Sequence, residues 1–253
     1  MAVTTAIILA AGMGVRLGDE TRDIPKCLLS VGGRTILEGQ LACLERHGIK
    51  ETAVVVGYLK DAISDRIGRQ FGEMTVSYVE NPIYDRTNNG YSLWLASGYL
   101  KEGCLLLEGD ICFDEAIVAG LLASPSDSLA VVASFEAGMD GSVVRLGAGN
   151  VIESIVLKGD QNTDFDYQDV FKTVNIYRLS ARMARLLAVR LNAGVGRAEV
   201  NEFYELALRD IVADGAATLH GMPTSGLPWC EIDTANDLAA ARRIFGHLGP
   251  RGQ

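Results

Sequence analysis

The chain has 253 residues and a mass of 27.1 kDa, with 48% hydrophobic and 22% charged residues, so it can bury a full core without disulfides and is neither disordered nor collagen-like. No apolar run approaches the ~20 residues that a membrane-spanning helix needs. A net charge of −9, a pI near 4.9 and the lack of any Lys/Arg run argue against a nucleic-acid partner, and any small anion must find a local site of backbone amides, a few cations or a metal.

In chain order, residues 4–9 form a β-branched, apolar run that predicts a buried strand, followed by a glycine-rich turn over 10–18. Thr35 and Glu38 have capping-box spacing, and Ile36, Leu37, Leu41 and Leu44 carry helical periodicity to about His47, where Gly48 stops it. A strand over 52–56, a helix over 62–71, a strand over 76–79, a short helix over 93–99 and a strand over 104–107 follow. The next predicted elements are a helix over 116–122 and a strand over 129–135. This alternation implies βαβ units and a largely parallel sheet.

The second half is more mixed. Residues 143–146 and 151–157 read as a hairpin around Gly147-Ala148-Gly149, and 173–177 as a strand. Helices are predicted over 181–191 and 200–213, a short strand over 229–232, and a closing helix over 234–245 with Thr234 as N-cap. With no repeat and no Pro/Ser-rich linker, one α/β domain over 1–246 with a late insertion fits better than two domains, and 247–253 reads as a frayed tail. The five cysteines are odd in number and show no C-x-x-C spacing. With no secretory signal at the N-terminus, this points to reduced thiols in a cytoplasmic protein without a structural zinc site.

Four segments carry candidate chemistry. The first is Leu9-Ala10-Ala11-Gly12-Met13-Gly14-Val15-Arg16-Leu17-Gly18 with Pro25-Lys26 downstream. It is neither a Walker loop nor a regular dinucleotide fingerprint, since its glycines fall at 12, 14 and 18. Taken alone, the glycines fit a plain turn after a strand equally well. Arg16 and Lys26 beside a nest of amides make a triphosphate cradle the better reading. The second segment is Glu108-Gly109-Asp110 at a strand end, and the third is Glu231-Ile232-Asp233-Thr234 before the last helix. Ligands of open α/β sheets bind beyond the carboxyl ends of the strands. Two carboxylates there, with phosphate oxygens and waters, suit Mg²⁺. Taken singly, Asp110 also reads as a turn residue and Asp233 as a helix-start acid beside the macrodipole. The fourth segment is Asn81-Pro82-Ile83-Tyr84, Thr87-Asn88-Asn89 and Ser92-Leu93-Trp94, whose amides can read the donor and acceptor edge of a base. No Gly-x-Ser-x-Gly elbow exists and no histidine pairs with a nucleophile, so a hydrolase triad has no support.

The first three segments, in this order and spacing, resemble the signature of the nucleotidyltransferases that make CDP-, UDP- or dTDP-linked metabolites. The fourth resembles the bacterial phosphocholine cytidylyltransferases and their phosphonate-specific relatives, and Lys172-Thr173-Val174-Asn175-Ile176-Tyr177 resembles the phosphonate branch. The resemblance implies a Rossmann-like, mostly parallel sheet flanked by helices. It implies nucleotide contacts from Leu9, Ala10, Ala11, Gly12, Met13, Gly14, Asn88, Asn89, Ser92, Glu108 and Gly109. Lys26 and Arg16 take the catalytic roles, Asp110 and Asp233 hold the metal, and Lys172, Tyr84, Tyr177 and Glu231 border the acceptor. The activity implied is Mg²⁺-dependent transfer of CMP from CTP to a small phosphonate, either 2-aminoethylphosphonate or a phosphono-carboxylate. Phosphocholine is the alternative; its quaternary ammonium wants an aromatic cage, for which Tyr84, Tyr167, Tyr177 and Trp229 are the available rings. A sugar-1-phosphate acceptor and a non-catalytic nucleotide-sensing subunit are further alternatives, and a homo-oligomer is left open.

Overall fold

The computed structural model describes residues 3–246; the predicted tail at 247–253 lies outside them. Strands β1 (Thr5–Ala10), β4 (Glu51–Val56), β6 (Met74–Glu80) and β7 (Gly103–Glu108) form the parallel centre of a mixed sheet. The short strands β2 (Ser30–Val31) and β3 (Arg34–Thr35) pair apart from it, and β5 (Gln70–Phe71) adds an antiparallel edge beside β6. β8 (Ile111–Phe113) leaves the sheet after β7, and β9 (Leu129–Ser134), β10 (Val143–Leu146), β11 (Ile152–Val156) and β12 (Val170–Ser180) make the antiparallel flank. β12 joins the two parts by pairing antiparallel with β7. β13 (His220–Pro223) runs parallel to β9, and β14 (Trp229–Glu231) pairs antiparallel with β8 in a small separate sheet.

The sheet is covered on both faces, which is why β1 reads as a continuous apolar run rather than an alternation. Ala6 and Ile8 pack with Leu37, Leu41 and Leu44 of α1 (Ile36–Arg46), Ile63 of α2 (Lys60–Ile67) and Ile117 and Leu121 of the α4 helix at Glu115–Ala123. Ile7 and Leu9 face the opposite layer. There they meet Leu93 of α3 (Asn89–Leu95), Leu187 of α5 (Ala181–Gly196) and Leu208 of α6 (Tyr204–Ala213). A third cluster joins Leu17, Leu29 and Ile36 to Ile232, Leu238 and Phe245, so the last helix, α7 (Ala235–Phe245), clamps the segment after the glycine-rich loop.

Several boundaries differ from the periodicity reading. The helix predicted over 62–71 ends at Ile67, because Gly68 (φ +74°) turns the chain into β5. The helix predicted from 200 starts at Tyr204, since the carbonyls of Val200 and Glu202 accept from Asn88 N and Gly90 N and hold that stretch out of the helix. The helix predicted from 93 starts at Asn89, capped by the Asn88 side chain. Both expected capping residues act as such: Thr35 and Glu38 form a full capping box, as do Thr234 and Asp237. Thr35→Ala removes one hydrogen bond of the first box and is expected to lower the unfolding free energy by about 1 kcal/mol. Urea denaturation followed by circular dichroism checks this; an unchanged midpoint would mean that the cap adds nothing to the packed helix.

Candidate active site

The carboxyl ends of β1 and β7 open into a cavity of about 970 Å³. On one side the chain leaves β1 through Gly14, whose φ of +63° lies in the left-handed region and where a Cβ would stand 3.2 Å from Thr21 Cγ2 and 3.3 Å from Lys26 Cβ. Thr21 Oγ1 donates to Gly14 O at 2.9 Å and turns the chain back, presenting Arg16 at the cavity mouth, 61% exposed. On the other side Gly109 N donates to Leu9 O at 2.8 Å, fastening the Glu108–Asp110 turn to β1. A Cβ on Gly109 would stand 2.9 Å from both Leu9 O and the Ala10 Cβ, so only glycine allows this approach.

Lys26 Nζ lies 2.7 Å from Asp110 Oδ2 and 2.8 Å from Asp233 Oδ1. Arg16 reaches the same Asp233 oxygen at 2.8 Å. Burial works against the Lys26 charge, but the two aspartates outweigh it and raise its pKa above the ordinary lysine value. Asp233 precedes the N-cap of α7, and it is Asp237 that accepts from the amides of Asp233 and Thr234. The helix-start role is therefore filled by Asp237, and the Asp233 carboxylate faces the cations. Ile232 N donates to Asp110 O at 3.0 Å, locking the two aspartate-bearing segments together.

The far end of the cavity is built by β12. Asn175 adopts φ +59° within the strand, where the pairing with β9 is irregular. Lys172 and Asn175, three residues apart, both reach Glu231: Lys172 Nζ at 3.3 Å from Oε2 and Asn175 Nδ2 at 3.4 Å from Oε1. Lys172 is 2% exposed and donates at 2.7 Å to Thr173 O. Burial, with Asp110 and Asp233 nearby and Lys172 opposing, pushes the Glu231 carboxyl up to about 7. Glu108 is raised well above the carboxylate range by burial and by the charges of Asp110, Glu205 and Glu231.

Leu9, Ala11, Gly12, Gly14, Arg16, Lys26, Tyr84, Asn88, Asn89, Ser92, Glu108, Asp110, Lys172, Glu231 and Asp233 all line this cavity, whereas Ala10, Met13, Gly109 and Tyr177 do not. Tyr177, expected at the acceptor, is not there. It is 2% exposed, packs with the α5 and α6 layer and sets its ring edge-on to Tyr204 at 5.8 Å, because the irregular stretch at Asn175 breaks the strand alternation that would have kept Asn175 and Tyr177 on one side. Asn89 donates to Glu108 Oε1 and accepts from Tyr204 N, so both ends of its amide are committed within the protein. Asn88 Oδ1 caps α3, and the Ser92 hydroxyl accepts from Asn81 Nδ2. Sequence reasoning passed over Glu205. It lies three residues before Leu208 on the buried stripe of α6, and a charge at such a position was the available signal. Buried Cys27, next to Lys26, has its thiol pushed up to about 12 by burial and offers no nucleophile at neutral pH. A smaller cavity of about 360 Å³ behind the same turn contains none of the candidate residues.

Two carboxylates bridged by a lysine at the mouth of a glycine loop, at the carboxyl edge of a parallel sheet, form a site that handles phosphate charge. Residues 6–200 match the MobA-like NTP transferase domain. The chain belongs to this family. It is a nucleotidyltransferase, and its mixed sheet flanked by helices is of the nucleotidyltransferase kind. The CMP-5'-(3-aminopropyl)phosphonate synthase of Streptomyces rubellomurinus is 34% identical over 249 residues, which cover 98% of this chain and 39% of that protein. The chain thus spans well under half of that relative's length. The 2-aminoethylphosphonate cytidylyltransferase of Lancefieldella rimae is 26% identical over 254 residues, 97% of this chain and 94% of that one. Among solved structures, the CTP:phosphocholine cytidylyltransferase of Streptococcus pneumoniae aligns with a TM-score of 0.80 at 22% identity over 96% of this chain and 99% of that one. No helix among the described residues is long and apolar enough to cross a membrane.

The aspartate turn has a support that this nucleotidyltransferase keeps out of the cavity. Gln40 of α1, 2% exposed, donates through Nε2 to Glu108 O at 2.8 Å and to Ile111 O at 2.9 Å, so one amide spans the turn that carries Asp110. Gln40→Leu leaves two buried carbonyls without their donor. It is expected to cost about 1–3 kcal/mol of stability and to lower kcat while the KM values change little. Denaturant titration and steady-state kinetics check this, and kinetics equal to wild type would mean that the turn holds itself.

Proposed function

We propose that the chain transfers CMP from CTP to a small phosphonate and releases pyrophosphate, with Mg²⁺ as cofactor. The observation that carries this reading is the Lys26 bridge between Asp110 and Asp233 beside the glycine loop. The acceptor oxygen is anionic at neutral pH, so its attack on the α-phosphorus needs no general base; it forms the new P–O bond as the bond to pyrophosphate breaks. The obstacle is repulsion between two anions. Lys26 and Arg16 are disposed toward the nucleotide phosphates, and Lys172 toward the acceptor. Their work is positioning and charge stabilisation.

The residues present fit a divalent ion. Asp110 Oδ1 is buried without a partner while Oδ2 holds Lys26. No group of three or more protein ligands of a metal-binding kind exists among the described residues, which suits a hard cation that takes most of its ligands from phosphate and water. Asp110 and Asp233 would hold it, and its charge would offset that of the phosphates. The lining itself carries eight acidic and five basic side chains, so a polyphosphate needs added positive charge there.

Two relatives named for aminoalkylphosphonate chemistry support a phosphonate acceptor. A quaternary ammonium is less well served. Of the four rings considered for a cage, Tyr84 lines the cavity, joined there by Phe203, while Tyr167 stacks on Phe135 and Trp229 pairs with Phe113 in the small sheet; two rings fall short of a closed cage.

Pyrophosphate release measured with CTP and a panel of acceptors tests the reading. CTP should be used well ahead of UTP and dTTP, and chelation of divalent ions should abolish turnover. Equal use of the three nucleotides would point to a sugar nucleotidyltransferase. Lys26→Ala is expected to lower kcat at least 100-fold, about 2.7 kcal/mol of transition-state stabilisation. A near-wild-type rate for this variant would remove Lys26 from the chemistry.

A further inference from the structure

One carboxylate in the cavity is without a counter-charge of its own. Glu205, in the first turn of α6, is 5% exposed and lines the cavity. Its Oε1 accepts a long bond from Ser142 Oγ at 3.5 Å and its Oε2 has no hydrogen-bond partner, while its own backbone amide and the Asn89 side chain are further dipoles that favour its charged form. The nearby ammonium of Lys172 is engaged with Glu231 and Thr173 O and makes no ion pair with Glu205. An acid in a helix's first turn is ordinarily explained by the macrodipole. Such an acid has no need to be buried, and here burial prevails and raises the Glu205 pKa despite the pull of its own backbone amide and of Lys172.

Glu108 stands nearby with its Oε1 taking both Asn89 Nδ2 and Tyr204 OH at 3.1 Å. Glu205, Glu108 and Glu231 thus bring three carboxyls to an end of the cavity where Lys172 is the buried cation. A buried carboxyl with a bare oxygen either holds a proton or meets a cation, and an arriving ammonium favours the charged form. The acceptor is the group that must arrive there.

We infer that Glu205, supported by Glu108, binds a primary ammonium at the end of the acceptor remote from the attacking oxygen, making Glu205 a specificity-determining residue. This rests on the cytidylyltransferase reading and narrows it. Acceptors that carry a cation at the far end are selected. Phosphono-carboxylates, which bring a second anion to three carboxyls, are rejected. A compact ammonium fits better than a quaternary one, because it donates hydrogen bonds to Oε2 and needs no aromatic cage.

Calorimetry separates these statements. Wild-type protein is loaded with Mg²⁺ and the α,β-methylene analogue of CTP, which cannot release pyrophosphate. It is then titrated with 2-aminoethylphosphonate, 2-hydroxyethylphosphonate and ethylphosphonate. The amino compound should bind at least tenfold more tightly than either of the others. Glu205→Gln should bring the three within threefold of one another, leaving the affinity for the CTP analogue and for ethylphosphonate unchanged. A purely structural role would weaken all three acceptors together. Equal binding of the amino and hydroxy compounds by the wild type overturns the ammonium site without any variant, and an undiminished preference in Glu205→Gln overturns the assignment to this residue. Parallel turnover assays with CTP address the underlying reading: failure of every acceptor to release pyrophosphate overturns the transferase chemistry, while the titrations still decide the ammonium site.

Discussion

The ammonium of Lys26 is held between the carboxylates of Asp110 and Asp233, which lie 84 and 207 residues further along the chain. Each of the three groups alone would be poorly placed: a lysine 14% exposed, and two acids at a sheet edge already crowded with Glu108 and Glu231. Together they offset one another's charge in part. Much of the fold serves to bring them together. The parallel centre delivers the glycine loop and the Glu108–Asp110 turn side by side, and the β8–β14 pair returns Asp233 to the same edge. The third apolar cluster packs α7 under the loop that precedes Lys26.

On the function proposed above, the same bridge is what lets a protein of net charge −9 accept polyphosphate. Its acidity is not an obstacle at long range, because charges beyond a Debye length of roughly 10 Å are screened. What matters is the local arrangement: on that function, Lys26 and Arg16 serve the nucleotide phosphates, and the unpartnered Asp110 Oδ1 suits a divalent ion. The cavity is therefore divided by charge. One end joins Lys26 and Arg16 to Asp110 and Asp233, and the β12 end carries Glu108, Glu205 and Glu231 around Lys172. A zwitterionic acceptor matches that division: its phosphonate belongs near Lys172 and its ammonium near Glu205. Metal, nucleotide and acceptor are then parts of one electrostatic balance, in which the cations face the phosphates and the carboxyls face the cations.

Local order was legible where a single periodicity governs a segment. The buried run of β1, the capping boxes of α1 and α7 and the hairpin around Gly147 need only neighbours within a few residues to be recognised. Legibility failed where distant chain overrides the local pattern. Residues 200–203 have helical neighbours, yet they stay outside the helix because the carbonyls of Val200 and Glu202 serve the start of α3. Tyr177 belongs to a segment with the marks of an acceptor wall, but it faces the helix layer and packs on Tyr204. Asn89 looks like a reader of bases, and the structure commits its amide to Glu108 and Tyr204.

The sequence by itself determined the class of fold, the order of the motifs and the residue types that meet phosphate, since a glycine loop, a lysine and two acids at strand ends carry their chemistry wherever the chain takes them. Only the tertiary structure decided which of those charges share a partner. Side-chain periods of two and 3.6 residues report the face a residue occupies and say nothing of what another segment brings to that face. Whether Glu205 is a solvated first-turn acid or a bare carboxylate in a cavity depends on Ser142, Lys172 and Glu108, all contributed by other strands and loops. Electrostatic interactions add through space, and the sums cannot be formed until the fold has set the distances.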